Sequence, residues 1–277
     1  MEVTAPNRLL IFGLGYTAKA IAVRLEGWSI VATGRAGNLD FTDRSGVIAA
    51  IEAATHILSS VPPGDRDPVL SNYGQALAAG GKWLGYLSST GIYGDSGGAW
   101  VDESAPVAGR RAARNQADCD WLSLGSRVFR LPGIYGPGRS PLDRVRQGLA
   151  HRTGISGQVF SRVHVDDVAQ GVIAGLAAPP GAYNLADDVP TSQDAPVDFA
   201  CELLGVDAPR IVALDALSPA ARAFYAENRR VSNRKAKRVL GWTPQYADYR
   251  LGLRALKAMT SPAAVSAAPA TASPDHR

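Results

Sequence analysis

A glycine-rich turn near the amino terminus is the first segment whose residue types and spacing could do chemistry. It consists of Gly13, Leu14, Gly15, Tyr16, Thr17 and Ala18, between the apolar run 9–12 and a segment with helical spacing of apolar residues. In such a turn the first glycine permits a tight bend, the second lets the backbone approach a pyrophosphate, and a small third residue allows close helix–strand packing. Free N–H groups at the start of the helix favour phosphate oxygens. The pattern predicts that these six residues bind the pyrophosphate of a dinucleotide.

The end of the next predicted strand, 29–33, indicates which dinucleotide is bound. Proteins that prefer NAD carry an acidic residue there for the ribose 2′-hydroxyl, whereas this chain has Thr33, Gly34 and Arg35. The planar guanidinium of Arg35 could pair with a 2′-phosphate through two hydrogen bonds, and an aspartate there would repel that phosphate. NADP is therefore the expected cofactor, with NAD as the alternative if Arg35 is an unengaged surface residue.

The elements that must position this turn alternate between strands and helices. Short apolar runs typical of buried parallel strands lie at 9–12, 29–33, 56–61, 83–88 and 127–131. Segments with helical spacing of apolar residues lie between them, at 47–54, 73–79 and 110–122. The alternation predicts an α/β fold with a doubly wound parallel sheet. From about residue 142 it loosens, which predicts a smaller C-terminal substrate lobe.

We accordingly divide the chain into three parts. Residues 1–165 are expected to form the dinucleotide-binding domain, and residues 166–260 a smaller substrate lobe packed on it. Residues 261–277 are mostly Ala, Pro, Ser and Thr without periodicity, which predicts a disordered tail.

The composition argues against several other classes of protein. Apolar residues make up 46% and charged residues 19%, which is typical of a folded globular chain. Cys119 and Cys201 are the only cysteines and lie far apart, so we predict neither a disulfide framework nor a metal site. No apolar run is long enough to span a membrane and the start lacks a signal-peptide pattern, so we expect a cytoplasmic protein without a membrane partner. The basic stretch 229–238 could contact nucleic acid, but it carries no recognised motif, and we expect a solvated helix face instead.

Five further segments, in order, resemble motifs of the extended short-chain dehydrogenase/reductase family, which includes nucleotide-sugar epimerases and dehydratases. They begin at Asp40, Leu87, Arg130, His164 and Leu240, and read DFTD, LSSTGIYG, RLPGIYGPG, HVDDVA and LGWTP. The resemblance covers about residues 8–256 and implies a Rossmann fold. It implies cofactor contacts by Asp40 and Phe41 at the adenine, by Ser59, Ser60 and Val61 along the dinucleotide, and by Pro132, Gly133 and Ile134 beside the nicotinamide. It also implies that Ser89 hydrogen-bonds a substrate oxygen.

The sequence departs from this family at the catalytic pair, a tyrosine that acts as acid and base and a lysine four residues later. Counting the family's spacing onto the predicted helix 110–122 places Arg110 and Arg114 at these positions and Asp118 at a later acidic position. A guanidinium stays protonated near neutral pH and cannot relay a proton. The chain is therefore similar to the atypical extended members, which keep the cofactor site and lack the tyrosine.

Two features could replace part of the missing chemistry. Arg110 and Arg114, four residues apart on one predicted helix face, could clamp a carboxylate or phosphate, or could simply face solvent. Tyr93 could donate a proton if Arg110 or Arg114 lowers the pKa of its phenol; the alternative is a packed ring with a satisfied hydroxyl.

These features predict an NADP(H)-dependent oxidoreductase or epimerase-like enzyme with a degenerate active site. Its substrate would be a small polar or nucleotide-linked molecule. A non-catalytic NADP(H)-binding sensor or regulatory module is the alternative, because folds of this kind host varied functions. Loss of the Tyr–Lys pair favours the sensor, whereas Ser89 and the loop 132–141 favour the enzyme. The sequence leaves open whether the protein is a monomer or a homodimer.

Overall fold

A sheet of parallel strands forms the centre of the molecule, in a computed structural model that describes residues 7–260 except for the side chains of Ala220, Ala221 and Phe224. The predicted tail, 261–277, lies outside the described residues. In chain order the strands are β1 (Arg8–Phe12), β2 (Ser29–Ala32), β3 (His56–Ser59), β4 (Trp83–Ser89), β5 (Trp100–Val101), β6 (Arg127–Leu131), β7 (Gly133–Tyr135), β8 (Arg162–His164), β9 (Gly181–Asn184) and β10 (Arg230–Val231). The helices are α1 (Tyr16–Ala22), α2 (Arg44–Ala53), α3 (Pro68–Leu77), α4 (Ala112–Ser123), α5 (Pro141–Arg146), α6 (Val165–Ala174), α7 (Asp194–Leu204), α8 (Pro219–Tyr225), α9 (Arg234–Leu240) and α10 (Tyr249–Thr260).

The central sheet has six strands in the order β2-β1-β3-β4-β6-β9, and every neighbouring pair is parallel. One apolar cluster packs α1 and α6 on one face, through side chains such as Ile21 and Val172. A second cluster packs α2, α3 and α4 on the other face, through side chains such as Ile51, Tyr73 and Trp121. The predicted doubly wound α/β architecture is confirmed.

The order of the strands places a crevice beside the glycine-rich turn. After β1 the chain adds β2 on one side, and β3 then pairs with the other side of β1. In open α/β sheets, ligands bind outside the carboxyl ends of the strands where the direction of winding reverses in this way. Gly13 follows β1 and Ser60 follows β3, so both lie at this point.

A smaller group of elements packs around a third apolar cluster formed by α5, α7 and α10. Two short ladders, β7 with β8 and β5 with β10, accompany it. Residues 166–174 and 181–184, which the sequence assigned to the lobe, belong to α6 and β9, in the layers of the central sheet. The residue ranges of the two domains stay a prediction. Within residues 7–260 there is no helix with the length and apolar character that a membrane crossing needs.

Several helix boundaries differ from the predicted ones, for local reasons. Helix α4 begins at Ala112 rather than at Arg110, because the amides of Ala108 and Gly109 both donate to the Ile92 carbonyl and hold the preceding chain outside the helix. Helix α3 begins earlier than predicted, at Pro68, where the Asp67 side chain accepts hydrogen bonds from the first turn.

Candidate functional site

The glycine-rich turn is tied to the ends of both neighbouring strands. The Leu14 amide donates to the Thr33 carbonyl (2.9 Å), and the Gly13 amide donates to Thr33 Oγ1 (3.1 Å). On the other side, the Ser60 hydroxyl donates to the Gly13 carbonyl. Gly13 has φ +85°, and a Cβ there would lie 2.9 Å from Val61 Cγ2, so only glycine fits. The turn is therefore fixed before any ligand arrives.

Gly15 differs from Gly13, because nothing in the protein requires a glycine at this position. It is exposed, its φ is −86°, and a Cβ built on it would have no heavy atom within 4 Å. A residue with a side chain could therefore occupy the position without strain. The free space at Gly15 fits a ligand whose phosphates approach the backbone closely.

The other residues of the turn divide into packing and exposed positions. Ala18 is buried under the sheet and Leu14 packs against the same apolar cluster, while Thr17 is half-buried. The Tyr16 hydroxyl donates to the Pro137 carbonyl (3.1 Å), and the Arg139 guanidinium lies over its ring. Tyr16 thus joins the turn to the loop that follows β7.

Arg35 lies next to this turn with its charge uncompensated. Its neighbour Gly34 has φ +99°, and a Cβ at Gly34 would lie 3.4 Å from the Leu14 amide nitrogen. Arg35 is exposed and makes no hydrogen bond or ion pair with any residue in the range 7–260. The placement leaves the guanidinium available to a charged ligand at the end of β2.

Five of the predicted cofactor contacts lie either in the segment after β2 or at the end of β3. Asp40 accepts hydrogen bonds from the Thr42 amide and hydroxyl, which hold the pKa of its carboxyl below the usual value. Phe41 packs edge-on against Tyr73. Ser59 is fully buried, so it offers no surface to a ligand, contrary to our prediction. Ser60 and Val61 follow β3 directly and flank Gly13, and their role as cofactor contacts stays a prediction.

A cleft of about 810 Å³ opens between the carboxyl ends of the strands and the smaller group of elements. Ser89 lines it at the end of β4, and Pro132, Gly133 and Ile134 line it after β6. Its charged lining is unbalanced. It includes seven arginines and two carboxylates, namely Arg110, Arg111, Arg114, Arg139, Arg144, Arg162, Arg229, Asp143 and Glu227. A cleft with this excess of guanidinium groups favours an anionic ligand.

Three arginines that line the cleft, Arg110, Arg111 and Arg114, differ in whether they form ion pairs. Arg110 precedes α4, so the prediction that it shares a helix face with Arg114 is wrong, although both line the cleft. Arg110 Nε pairs with Glu227 Oε1 (2.9 Å), and Arg229 Nη1 pairs with the other oxygen of the same carboxylate (2.7 Å). Arg111 and Arg114 form no ion pair within the described chain. They also line a second cavity of about 390 Å³, next to residues 63–65 of the loop after β3.

Ser89 is held with its hydroxyl proton free. Its Oγ accepts a hydrogen bond from the Gly91 amide (3.1 Å) at the start of a 3-10 turn over Thr90–Tyr93. It is half-buried and lines the cleft. Since its oxygen already accepts a bond from the backbone, the hydroxyl can donate to a ligand oxygen in the cleft.

Tyr93 is a packed structural residue. Its ring is 4% exposed, its hydroxyl donates to Asn184 Oδ1 (2.7 Å), and it accepts from Arg130 Nη1 (3.0 Å). Burial raises the pKa of Tyr93 to about 12, outweighing the nearby positive charge, which belongs to Arg130 rather than to Arg110 or Arg114. The hypothesis of a lowered phenol pKa is therefore wrong.

Arg130, which donates a hydrogen bond to the Tyr93 hydroxyl, also forms a buried ion pair with Asp118. Arg130 Nη2 and Nε donate to the two oxygens of Asp118 (2.7 and 3.2 Å), and the Ser88 hydroxyl donates to the same carboxylate (2.6 Å). Both charged side chains are at most 3% exposed. The sequence did not reveal this network, because its members come from β4, α4 and β6 and meet only in the folded sheet.

Replacing Tyr93 with phenylalanine tests its structural role. The change leaves Asn184 Oδ1 and one Arg130 N–H buried with a lost partner, so we expect a loss of about 1–3 kcal/mol in the free energy of unfolding. Dinucleotide affinity should not change. Urea unfolding measures the first quantity, with Tyr183→Phe as a control, because the Tyr183 hydroxyl bonds one carbonyl near the surface. A Tyr93→Phe protein of unchanged stability that loses turnover would mean that the phenol reacts.

Within residues 7–260, no group of three or more His, Cys, Asp or Glu side chains is placed to hold a metal ion.

Comparison with known proteins agrees with this architecture. A conserved protein of unknown function from Silicibacter pomeroyi is 40% identical, with 91% of this chain and 99% of that chain covered and a TM-score of 0.81. UDP-glucose 4-epimerase from Thermotoga maritima, solved with UDP-glucose, is 15% identical over 92% of this chain and 100% of its own, with a TM-score of 0.74. The human epimerase family protein SDR39U1, solved with NADPH, is 18% identical over 90% and 98%, with a TM-score of 0.70.

No protein-family model matches the sequence, and no curated protein matches it either. The identity to the Silicibacter protein over nearly the whole of both chains is high enough to show common ancestry, and the more distant structures share the fold. The chain therefore belongs to the same family as this Silicibacter pomeroyi protein, and its fold is that of the atypical extended short-chain dehydrogenases/reductases.

Proposed function

We propose that the protein is an NADP(H)-dependent oxidoreductase or epimerase-like enzyme that acts on a small anionic or nucleotide-linked substrate without a Tyr–Lys pair. The observation that carries this proposal is the geometry around Gly15. An exposed, unstrained glycine stands in a fixed turn at the crevice of the sheet, and the same turn contacts the loop that lines the 810 Å³ cleft.

The residues present fit a dinucleotide. Gly13 through Ala18 would hold the pyrophosphate, and Arg35 would hold the 2′-phosphate. Asp40 and Phe41 would lie at the adenine, and Pro132, Gly133 and Ile134 would lie at the nicotinamide. A bound nicotinamide supplies a hydride donor or acceptor to the cleft. The human neighbour solved with NADPH supports the same cofactor class.

The cleft's own residues would bind and polarise the substrate. The free Ser89 proton can donate to a substrate oxygen, and Arg111 and Arg114 can stabilise negative charge on or near that oxygen. A guanidinium is not a proton-transfer group at physiological pH, so Arg111 and Arg114 would act by electrostatics and orientation. The neighbour solved with UDP-glucose supports a nucleotide-linked substrate.

Removing the two unpaired arginines tests this proposal. With NADPH as cofactor and a panel of keto acids, aldehydes and sugar nucleotides, we expect nicotinamide oxidation with an anionic member of the panel. Arg111→Gln combined with Arg114→Gln should lower kcat/KM by at least about 100-fold, since each charged hydrogen bond is worth about 1.5–3 kcal/mol. Arg238→Gln, an exposed arginine of α9 outside the cleft, serves as control. Equal loss in the control variant would contradict a specific role.

A non-catalytic NADP(H) sensor is the second candidate, and the burial of Tyr93 favours it. Tyr93, the tyrosine considered as a proton donor from the sequence, is buried and does not line the cleft. NADPH binding without turnover on any member of the panel would support the sensor and contradict the enzyme.

A further inference from the structure

Arg162 is a buried cation that lines the cleft without a carboxylate in contact. It lies in β8 and is 7% exposed. Its guanidinium donates to Thr191 Oγ1 (2.6 Å) and to the carbonyls of Thr191 (3.4 Å) and Ser192 (3.1 Å), all of them neutral. Its Nε donates to no residue of the described chain. Part of the guanidinium is therefore free to bind a ligand.

The carboxylate that acts most strongly on Arg162 does not pair with it. Asp187 is 1% exposed, and neither of its oxygens accepts a hydrogen bond within residues 7–260, although the Val189 amide lies near enough to favour the charged form. Burial raises the pKa of Asp187 to about 8, so at neutral pH it is mostly protonated and neutral. The positive charge of Arg162 is left without a countercharge in contact.

A guanidinium cannot relieve this cost by losing its proton. A buried charge is expensive unless it is paired and hydrogen-bonded, and neutral carbonyls satisfy only the hydrogen bonds. What this arrangement lacks is a negative charge in contact with Arg162, and the cleft that Arg162 lines has room for a ligand carrying one.

The surroundings of Arg162 indicate a small anion beside the predicted nicotinamide position. Arg162 pairs with Gly133 across the β7–β8 ladder, so it stands next to the loop assigned to the nicotinamide. The Tyr249 ring lies 5.6 Å from its guanidinium, and Val197 and Leu253 add apolar wall to the cleft. On this side of the cleft Arg162 has only part of its guanidinium left to donate, and its neighbours Val197, Tyr249 and Leu253 are apolar or aromatic. This arrangement suits a singly charged carboxylate better than a phosphate dianion, which needs more donors.

We propose that Arg162 binds a carboxylate of the substrate on the lobe side of the cleft, so that the substrate is a carboxylic acid with its reacting carbon near the nicotinamide loop. This inference adds the chemical class of the substrate to the proposed function, and it rests on that function only because it takes the cleft as the substrate site. It concerns binding and can be tested without a dinucleotide.

The first test compares two small probes that differ by the carboxylate. Ligand-observed NMR titrations of the full chain without a dinucleotide use 2-oxobutyrate and its uncharged counterpart butanone. We expect saturable binding of 2-oxobutyrate, competed by a second carboxylate, and no binding of butanone. Arg162→Gln should weaken the affinity for 2-oxobutyrate by about tenfold or more. Arg250→Gln removes the same charge from α10 outside the cleft and should leave the affinity unchanged.

Two results of this test would overturn the proposal. One is a natively folded Arg162→Gln protein that binds 2-oxobutyrate as the original chain does. The other is inorganic phosphate that binds through Arg162 more tightly than 2-oxobutyrate, which would make the site a phosphate site. Because the first test omits the dinucleotide, failure of NADPH binding leaves its outcome unaffected.

A second variant covers the case in which Arg162→Gln fails to fold. The groups that act on Asp187 are Arg162, the Val189 amide, Asp188, Asp248 and Tyr135. As the pH rises through about 8, Asp187 ionises, pairs with Arg162 and competes with the ligand. Affinity for 2-oxobutyrate should therefore fall several-fold between about pH 7 and pH 9, and Asp187→Asn should abolish that fall. A pH-independent affinity in the original chain would contradict the assignment.

Discussion

Replacing Gly15 with valine is expected to abolish dinucleotide binding while the fold stays intact. The added side chain meets no protein atom, since a Cβ at Gly15 has nothing within 4 Å and the backbone is in a region open to all residues. It would occupy the space in which phosphates approach the turn. We expect NADPH affinity to drop by more than about 100-fold, equivalent to about 3 kcal/mol. The free energy of unfolding should fall by only about 1 kcal/mol, because valine is a poorer residue than glycine at the start of α1.

Gly74→Val is the matched control for this prediction. Gly74 lies on α3, about 60 residues from the turn in sequence, and a Cβ there would meet only Leu70 Cβ at 4.0 Å. Valine there should change stability by less than about 1 kcal/mol and leave NADPH affinity as it was. Fluorescence titration and thermal unfolding measure both quantities. If Gly15→Val binds NADPH normally, the free space at Gly15 is not a phosphate site.

Replacing Arg35 with aspartate is expected to reverse the preference between the two nicotinamide dinucleotides. The exposed guanidinium has no partner within residues 7–260, so its removal disturbs nothing in the fold. Loss of a charged pair to the 2′-phosphate, worth about 1.5–3 kcal/mol, and repulsion by the new carboxylate should weaken NADPH binding by about 100-fold. NADH binding should stay constant or improve, because a carboxylate can accept from the ribose 2′-hydroxyl.

The ratio of the two affinities is the informative quantity for Arg35. Arg44→Asp serves as control, since Arg44 is an exposed arginine at the start of α2 and donates to the Asn72 carbonyl. It should alter neither affinity. An Arg35→Asp protein with an unchanged ratio of NADPH to NADH affinity would show that Arg35 is a plain surface residue and would remove the argument for NADP.

Most of the central sheet could be predicted from sequence because it is built from local signals. Continuous apolar runs such as Leu9 to Phe12 are found in strands buried on both faces, and β1 lies inside the sheet, between β2 and β3. Helix ends were less certain. The start of α4 is set by two amides that bond to the distant Ile92 carbonyl, and no pattern near Arg110 reveals such a contact.

The part of the candidate site that local spacing could predict is the geometry of the glycine-rich turn, because the turn is one continuous segment. The cofactor roles of Gly13, Gly15 and Arg35 stay a prediction. Tyr93 was misjudged because its pKa depends on Arg130 and Asn184, which come from two other strands. Buried Ser59 and unpaired Arg162 likewise depend on what packs around them. For Arg162 the one local signal was a charged residue at the start of an apolar segment before His164.

The central claim is that the chain binds NADP(H) through its glycine-rich turn, and a fluorescence titration of the purified full chain with NADPH and NADH tests it most directly. We expect saturable NADPH binding in the micromolar range and NADH binding at least tenfold weaker, which the lost 2′-phosphate contact implies. Failure of both dinucleotides to bind at millimolar concentration would contradict the account, and the turn from Gly13 to Ala18 would then serve the fold alone.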